Sequence, residues 1–305
     1  MISLVTACMN RDAHLRRTLP AWLALPDITE VIVVDWSNRT PLRDLAALDS
    51  RIRVIRAEGE PRWILSYAYN LGISHARNEI VLKCDADCLP TAAVASLRPA
   101  DDAFYAGYWK TGVACGKPSV NGQCLFTKAQ FERVNGYSEV IRMYGRDDED
   151  FYDRLSKAGF NRREIPATEL AFIEHTQQER LANQVGARAA DPVETFLQRQ
   201  PGYFEMYNLA LTRLLPWGIW QARARFAVTE DSPNWLVCQR DTSREIPVAA
   251  PLQAMARLHG LRSVAAGACS LPAQQVMAMD EAACLAALRK RLATAASTQR
   301  ERLSA

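Results

Sequence analysis

The run Glu30-Val31-Ile32-Val33-Val34-Asp35 sets the strongest limit on what this chain can fold into. It is continuously apolar, rich in β-branched residues and without alternation, the pattern of a strand covered on both faces, and it ends on a carboxylate. The pieces around it are of matching kinds. Ile2 to Ala7 is a short β run, followed by Asp12 as a candidate N-cap and by Leu15, Leu19, Trp22 and Leu23 at helical spacing, with Pro26 closing that helix. Ile52-Arg53-Val54-Ile55 is a weaker strand, and Ile64, Ala68, Leu71 and His75 form the stripe of a helix. Glu79 to Cys84 is a further apolar run. This alternation predicts an α/β fold, a mainly parallel sheet with helices on its faces. Strand ends then place residues 7 to 11, Asp35 and the triplet Asp85-Ala86-Asp87 on one rim of the sheet, which is where open α/β sheets bind ligands.

The 305 residues are 49% hydrophobic and 23% charged, enough to bury the core of one large or two modest domains. Disordered and membrane-spanning classes do not fit. The net charge of +3 builds no global field, so no nucleic-acid partner is expected, while a phosphorylated small substrate is compatible. Eight cysteines lie at 8, 84, 88, 115, 124, 238, 269 and 284 without a Cys-x-x-Cys pair or zinc-finger spacing, and read as buried thiols of a reducing compartment. The apolar N-terminal run is cut by Asn10-Arg11-Asp12 far short of a signal or membrane span, so a cytoplasmic location is expected.

Two acidic groups carry the chemistry. Asp85 and Asp87 project from a strand end made rigid by Pro90, where carboxylates can hold a hard divalent cation and, through it, phosphates. Further on, Asp147-Asp148-Glu149-Asp150 opens a helix whose inward stripe is Phe151, Leu155 and Ala158, ended by Gly159. The helix macrodipole favours acids in a first turn by about 0.3 to 1 kcal/mol each. Four crowded carboxylates also repel one another, so at least one is expected to have another task, such as accepting a proton.

The order of these pieces resembles the nucleotide-sugar half of a GT-A glycosyltransferase of the family 2 type. Val5-Thr6-Ala7-Cys8-Met9-Asn10-Arg11 is similar to the family's first strand and following turn, and Val33-Val34-Asp35-Trp36-Ser37 to its second strand with the Asp that contacts the base. Asp85-Ala86-Asp87 is similar to its metal-binding Asp-x-Asp. The chain departs from the family at Tyr69-Asn70, where Arg-Asn is common. Residues 121 to 137, with 144 to 155, resemble the C-terminal motif of β-1,4-galactosyltransferases: Tyr144 takes the place of a Trp, Arg146 of a Gly, and Asp147-Asp148 fall on Glu-Asp. Because Arg replaces Gly there, galactose is not carried over as the donor sugar.

The resemblance implies a GT-A fold and a metal-dependent, inverting transfer of a hexose or N-acetylhexosamine from a UDP-sugar to a hydroxyl of a glycan or lipid-linked acceptor. Asp148 is then the catalytic base. Thr6, Asn10, Arg11, Asp35, Asn70 and Asp85 are the donor contacts, and Tyr144, Asp147 and Trp109 the acceptor or sugar contacts. Asp87 and His175, with Asp85, are the metal ligands, Mn²⁺ suiting one imidazole among carboxylates better than Mg²⁺, the second choice. His14, His75 and His259 read as structural. Two other classes remain as alternatives: a sugar nucleotidyltransferase, disfavoured because Ala7 to Arg11 lacks glycine, and a catalytically silent GT-A scaffold, which would have lost a metal or base residue.

The resemblance stops near residue 178, so a catalytic domain over 1–178 and a mainly helical C-terminal region over 179–305 are expected. Leu214-Leu215-Pro216-Trp217-Gly218-Ile219-Trp220 with Arg223 and Arg225 suits either internal packing, the commoner outcome, or peripheral contact with a membrane or lipid-linked acceptor. Residues 229 to 251 read as a polar linker or surface loop.

Overall fold

The computed structural model describes residues 1–174, 176, 179 and 191–304, with the side chains of 118 and 298–304 left aside. Two compact units emerge, one made of Met1–Arg142, Asp147–Gln177 and Trp217–Ile246, the other of Met143–Arg146, Gln178–Pro216 and Pro247–Ala305.

The first unit is built on a sheet that, among the described residues, has nine strands, in the spatial order Phe226–Ser232, Trp235–Arg240, Ile52–Glu58, Ile28–Trp36, Ile2–Cys8, Ile80–Lys83, Cys124–Thr127, Ala103–Ala106 and Asn161–Glu164, with β5 (Cys88–Pro90) and β9 (Leu170–Phe172) paired apart from it. Its centre is β1 (Ile2–Cys8), β2 (Ile28–Trp36), β3 (Ile52–Glu58) and β4 (Ile80–Lys83), all parallel. The unalternating run over 30–35 lies in β2 and is buried throughout, as its composition requires. Beyond β4 the sheet turns mixed: β7 (Cys124–Thr127) runs antiparallel to β4 and to β6 (Ala103–Ala106), and β6 pairs in parallel with β8 (Asn161–Glu164). This is the GT-A arrangement, a mainly parallel sheet with flanking helices.

Alternate side chains of β1 and β2 feed two cores. Leu4, Val31 and Val33 pack with Leu15, Leu19 and Trp22 of α1 (Asp12–Leu23), while Val5, Ile32 and Val34 pack with Ala68 and Leu71 of α2 (Leu65–Ser74). Each such fully buried aliphatic stabilises the fold by roughly 1.5–3 kcal/mol. Gly72 lets α2 lie close on the sheet, since a Cβ there would stand 2.7 Å from Val5 and 2.8 Å from Val34. Local boundaries differ from the sequence reading in detail: Asp12 is the first helical residue, behind Arg11 at the cap, and α1 ends at Leu23 although Pro20 lies inside it.

The segment 229–251 is corrected more substantially. Instead of a linker, β10 (Phe226–Ser232) and β11 (Trp235–Arg240) form a hairpin, and β11 adds in parallel to β3. Its inward residues Trp235, Leu236, Val237 and Cys238 are buried. One division falls between Gln177 and Gln178, and the chain returns to the first unit over Trp217–Ile246, the hairpin included. The aromatic segment before it splits: Trp217 is buried and donates from Nε1 to the Asn135 carbonyl at 2.8 Å, whereas Ile219 and Trp220 are exposed.

The second unit is helical. Pro192–Leu197, Pro201–Leu214, Ala250–Cys269, Ala273–Met277 and Glu281–Ser304 are its helices among the described residues, around a core including Val193, Leu197, Phe204, Leu261, Cys284 and Leu288. No helix of the described residues is long and apolar enough to cross a membrane. All eight cysteines are free thiols.

Candidate active site

The carboxylates of the site are positioned by α6 (Asp147–Lys157) and by the end of β4. The inward stripe of α6 is aromatic: Phe151 stacks on Tyr137 at 4.5 Å between centroids and meets Phe126 edge-on at 5.3 Å. Arg154, one turn on, donates to the Val134 and Gly136 carbonyls at 2.6 and 2.7 Å. These contacts hold the first turn of the helix against the sheet. Within its four acids the roles separate. Glu149 pairs with Arg162 at 3.3 Å and Asp150 with Arg154 at 2.8 Å, while Asp147 and Asp148 are nine-tenths buried and pair with no described arginine.

Between Asp148 and Asp85 sits a residue the sequence reading passed over. Lys83, wholly buried, brings Nζ to 2.9 Å from Asp85 Oδ1, 3.1 Å from Asp148 Oδ1 and 2.6 Å from the Gly122 carbonyl, and lies 4.6 Å from the centre of the Tyr69 ring. Burial works against its ammonium, but the Asp148 and Asp85 carboxylates more than reverse this and raise its pKa well above the usual value. A signal was available: Lys83 stands two residues before Asp85, on the same face of an otherwise apolar strand.

Asp148 Oδ1 also accepts from the Tyr137 hydroxyl at 3.3 Å, whereas Oδ2 accepts from no described residue. Burial raises the Asp148 pKa and Lys83 opposes the rise. Asp147, pushed up to about 7 by burial and then by the charge of Asp148, accepts the Asp148 backbone N–H at 3.0 Å. Asp85 is held by Lys83, by the Tyr69 hydroxyl at 3.2 Å and by a two-way bond with Gln123 at 3.0 and 3.2 Å. About a third of its side chain remains exposed. Asp87 is mostly buried, with Arg11 at 3.9 Å. The Ile173 N–H donates to its carbonyl at 2.8 Å, so the described chain reaches Asp87 two residues before His175, which lies outside the described residues.

No group of three or more His, Cys, Asp and Glu converges as a metal site among the described residues. The donor set they do offer, two carboxylates on one strand end, one of them a third exposed, suits a hard divalent cation once a further ligand joins it.

Three of the expected nucleotide contacts lie inside the fold. Asp35 is fully buried and accepts four internal donors: the Asn38 N–H and Nδ2 at 2.9 and 2.7 Å, the Leu42 N–H at 2.9 Å and Arg56 at 2.8 Å. These bonds organise the turn over 37–42. Asn70 is likewise occupied, donating to the Tyr137 carbonyl and Glu139 at 3.0 and 2.9 Å and accepting the Tyr137 N–H at 2.8 Å, which ties α2 to the turn before α6. Thr6 is fully buried on the strand face it shares with Leu4 and Cys8, its hydroxyl without a partner among the described residues.

The others vary. Asn10 takes a left-handed φ of 54° and accepts the Arg39 N–H at 3.0 Å. Trp109 is 47% exposed, with Lys110 near its ring. Tyr144 belongs to the second unit and packs on its apolar core. Arg146, where the resemblance has a glycine, keeps a glycine-like φ of 69°.

Residues 3–97 match the family described as glycosyl transferase family 2, and residues 105–179 match the N-terminal domain of galactosyltransferase. No curated protein sequence matches the chain. Among solved structures, a Drosophila β-1,4-galactosyltransferase 7 in complex with manganese, UDP-Gal and xylobiose aligns at 13% identity and a TM-score of 0.50, covering 84% of this chain and 98% of its own. A mannosyltransferase from Pyrobaculum calidifontis aligns at 17% identity and 0.48, covering 97% and 79%. A glucosyl-3-phosphoglycerate synthase from Mycobacterium tuberculosis aligns at 16% and 0.45, covering 65% and 78%. Both matched families are glycosyltransferases, neither match spans half of the chain, and the likeness to the galactosyltransferase structure is one of fold.

Proposed function

We propose that this chain, a GT-A glycosyltransferase domain with a helical second unit, is an inverting enzyme that moves a hexose or N-acetylhexosamine from a UDP-sugar to a hydroxyl of a glycan or lipid-linked acceptor. The observation that carries this reading is the asymmetry of Asp148, whose Oδ1 is anchored by Lys83 and Tyr137 while Oδ2 accepts from no described residue. A hydroxyl nucleophile has a high pKa and needs a base within about 3 Å as it attacks. Asp148 Oδ2 takes that proton as the acceptor oxygen bonds to the anomeric carbon from the face opposite UDP, and the bond to the diphosphate breaks. Attack from that face inverts the anomeric configuration.

Asp147 stands one residue before the base and holds its proton up to about pH 7, which suits it to donate a hydrogen bond to a sugar hydroxyl. Asp85, with Oδ1 fixed by Lys83 and Tyr69, and Asp87, beside Arg11, form the donor end. On this reading Asp87 and Asp85, with His175, would hold Mn²⁺, which would offset the negative charge that develops on the departing diphosphate. The galactosyltransferase of comparable fold was solved with manganese and a UDP-sugar. Trp109, exposed at the start of the helix Trp109–Ala114, offers a flat apolar face to an acceptor ring.

Asp148→Asn tests the reading. With Mn²⁺ and a panel of UDP-sugars, the variant should lose turnover by about a hundredfold or more while calorimetry shows UDP binding nearly unchanged. Turnover retained at the wild-type level would overturn it.

A further inference from the structure

The best-satisfied charge in the site belongs to a residue that touches no solvent. Lys83 is fixed on both sides by the sheet, opposite Val5 of β1 and Cys124 of β7. Its Nζ donates to Asp85 Oδ1 and the Gly122 carbonyl and forms an ion pair with Asp148 Oδ1 at 3.1 Å, and its remaining face lies over the Tyr69 ring. A side chain with no exposure cannot contact a substrate. What it can do is hold two carboxylates that come from different elements, one at the end of a central strand and one in the first turn of α6. Without the ammonium, Asp148 would be buried with no compensating charge and would swing away, whereas Asp85, a third exposed, keeps the Tyr69 hydroxyl and Gln123 as partners.

We propose that Lys83 is a positioning residue for the transfer: its ammonium, sealed between Asp85 and Asp148, keeps the proton-accepting carboxylate in register with the donor end of the site. The inference rests on the reading of Asp148 as the base. It explains why Asp148 turns Oδ1 inward and leaves Oδ2 for the acceptor. Tyr137 supports the same orientation from the other side, its hydroxyl 3.3 Å from the same oxygen. Because a misplacement of about 1 Å can cost on the order of a hundredfold in rate, loss of this bridge acts on turnover before it acts on donor affinity.

The experiment compares Lys83→Met, Asp148→Asn and the double variant in the full chain. Turnover is followed with Mn²⁺ and a UDP-sugar, UDP affinity by calorimetry, and folding by thermal melting in metal-free buffer. Lys83→Met is expected to lower kcat by about a hundredfold while the UDP Kd stays within about threefold of wild type. A kcat loss below tenfold, or a Kd that weakens beyond threefold, overturns the proposal, the second because a donor-site support would act through binding. If Lys83→Met does not fold, the double variant decides. Removing the second charge should restore a cooperative melt and UDP binding, whereas a double variant that also fails to fold assigns Lys83 to the core and overturns the proposal. Wild-type turnover in Asp148→Asn would instead overturn the assignment of the base, an outcome legible apart from Lys83.

Discussion

Burial lifts the Asp147 carboxyl from an ordinary 3.8 to about 7, and the neighbouring charge of Asp148 adds to the effect. Between those values the folded protein keeps a proton that the unfolded chain has released, so the stability contributed by this group is fully present below about pH 4 and is lost as pH rises to about 7. Asp147→Asn removes the titration. The variant should gain on wild type steadily across that window and level off above it, by an amount on the order of a few kcal/mol at most, as denaturant unfolding at pH 5, 6, 7 and 8 would reveal. A constant difference across those pH values would contradict it. At the same scale, Asp148 and Asp85 could be named from their place in the chain, but the occupancy of Asp35 and Asn70 could not. A carboxylate at a strand end looks the same in sequence whether its lone pairs face a nucleotide or, as with Asp35, the Asn38 and Leu42 amides and Arg56.

Among the elements, the 3-10 turn Pro118–Gly122 does more than connect. Its last residue gives its carbonyl to Lys83, and a Cβ on Gly122 would stand 2.1 Å from Asp85 Oδ2. Gly122→Ala should therefore push the Asp85 carboxylate off its partners, weakening Mn²⁺-dependent UDP binding by about tenfold at a cost of about 1–3 kcal/mol in stability, the range for overpacking. Calorimetry with and without Mn²⁺ measures the first, and a thermal melt the second. Unchanged binding would mean that Asp85 has no part in holding the donor. The helical stripe of α6 was readable from Phe151 and Leu155. That Phe151 stacks on Tyr137, and so delivers a hydroxyl to Asp148, depends on a turn with left-handed backbone at Asn135 and Gly136, whose path no local pattern specifies.

For the molecule as a whole, the hairpin of β10 and β11 determines where the catalytic unit ends. A chain stopped at residue 178 would lack β11, baring the edge of β3 and the apolar surface that Trp235, Leu236, Val237 and Cys238 cover. Such a chain should aggregate, while the full chain should give soluble protein with a cooperative melt. Equal soluble yield and equal melts would show the hairpin to be dispensable. The sequence by itself determined the parallel sheet, because an unalternating β-branched run over 30–35 is stable only when helices cover both faces. It also determined which acids stand at strand and helix ends, since those follow from periodicity within a few residues. Only the tertiary structure decided that residues 226–240 return to the sheet, that Asp35 and Asn70 are spent on internal bonds, and that Lys83 joins Asp85 to Asp148. Each of these is a pairing between groups far apart in the chain, governed by packing and by the demand that buried charges and amides find partners.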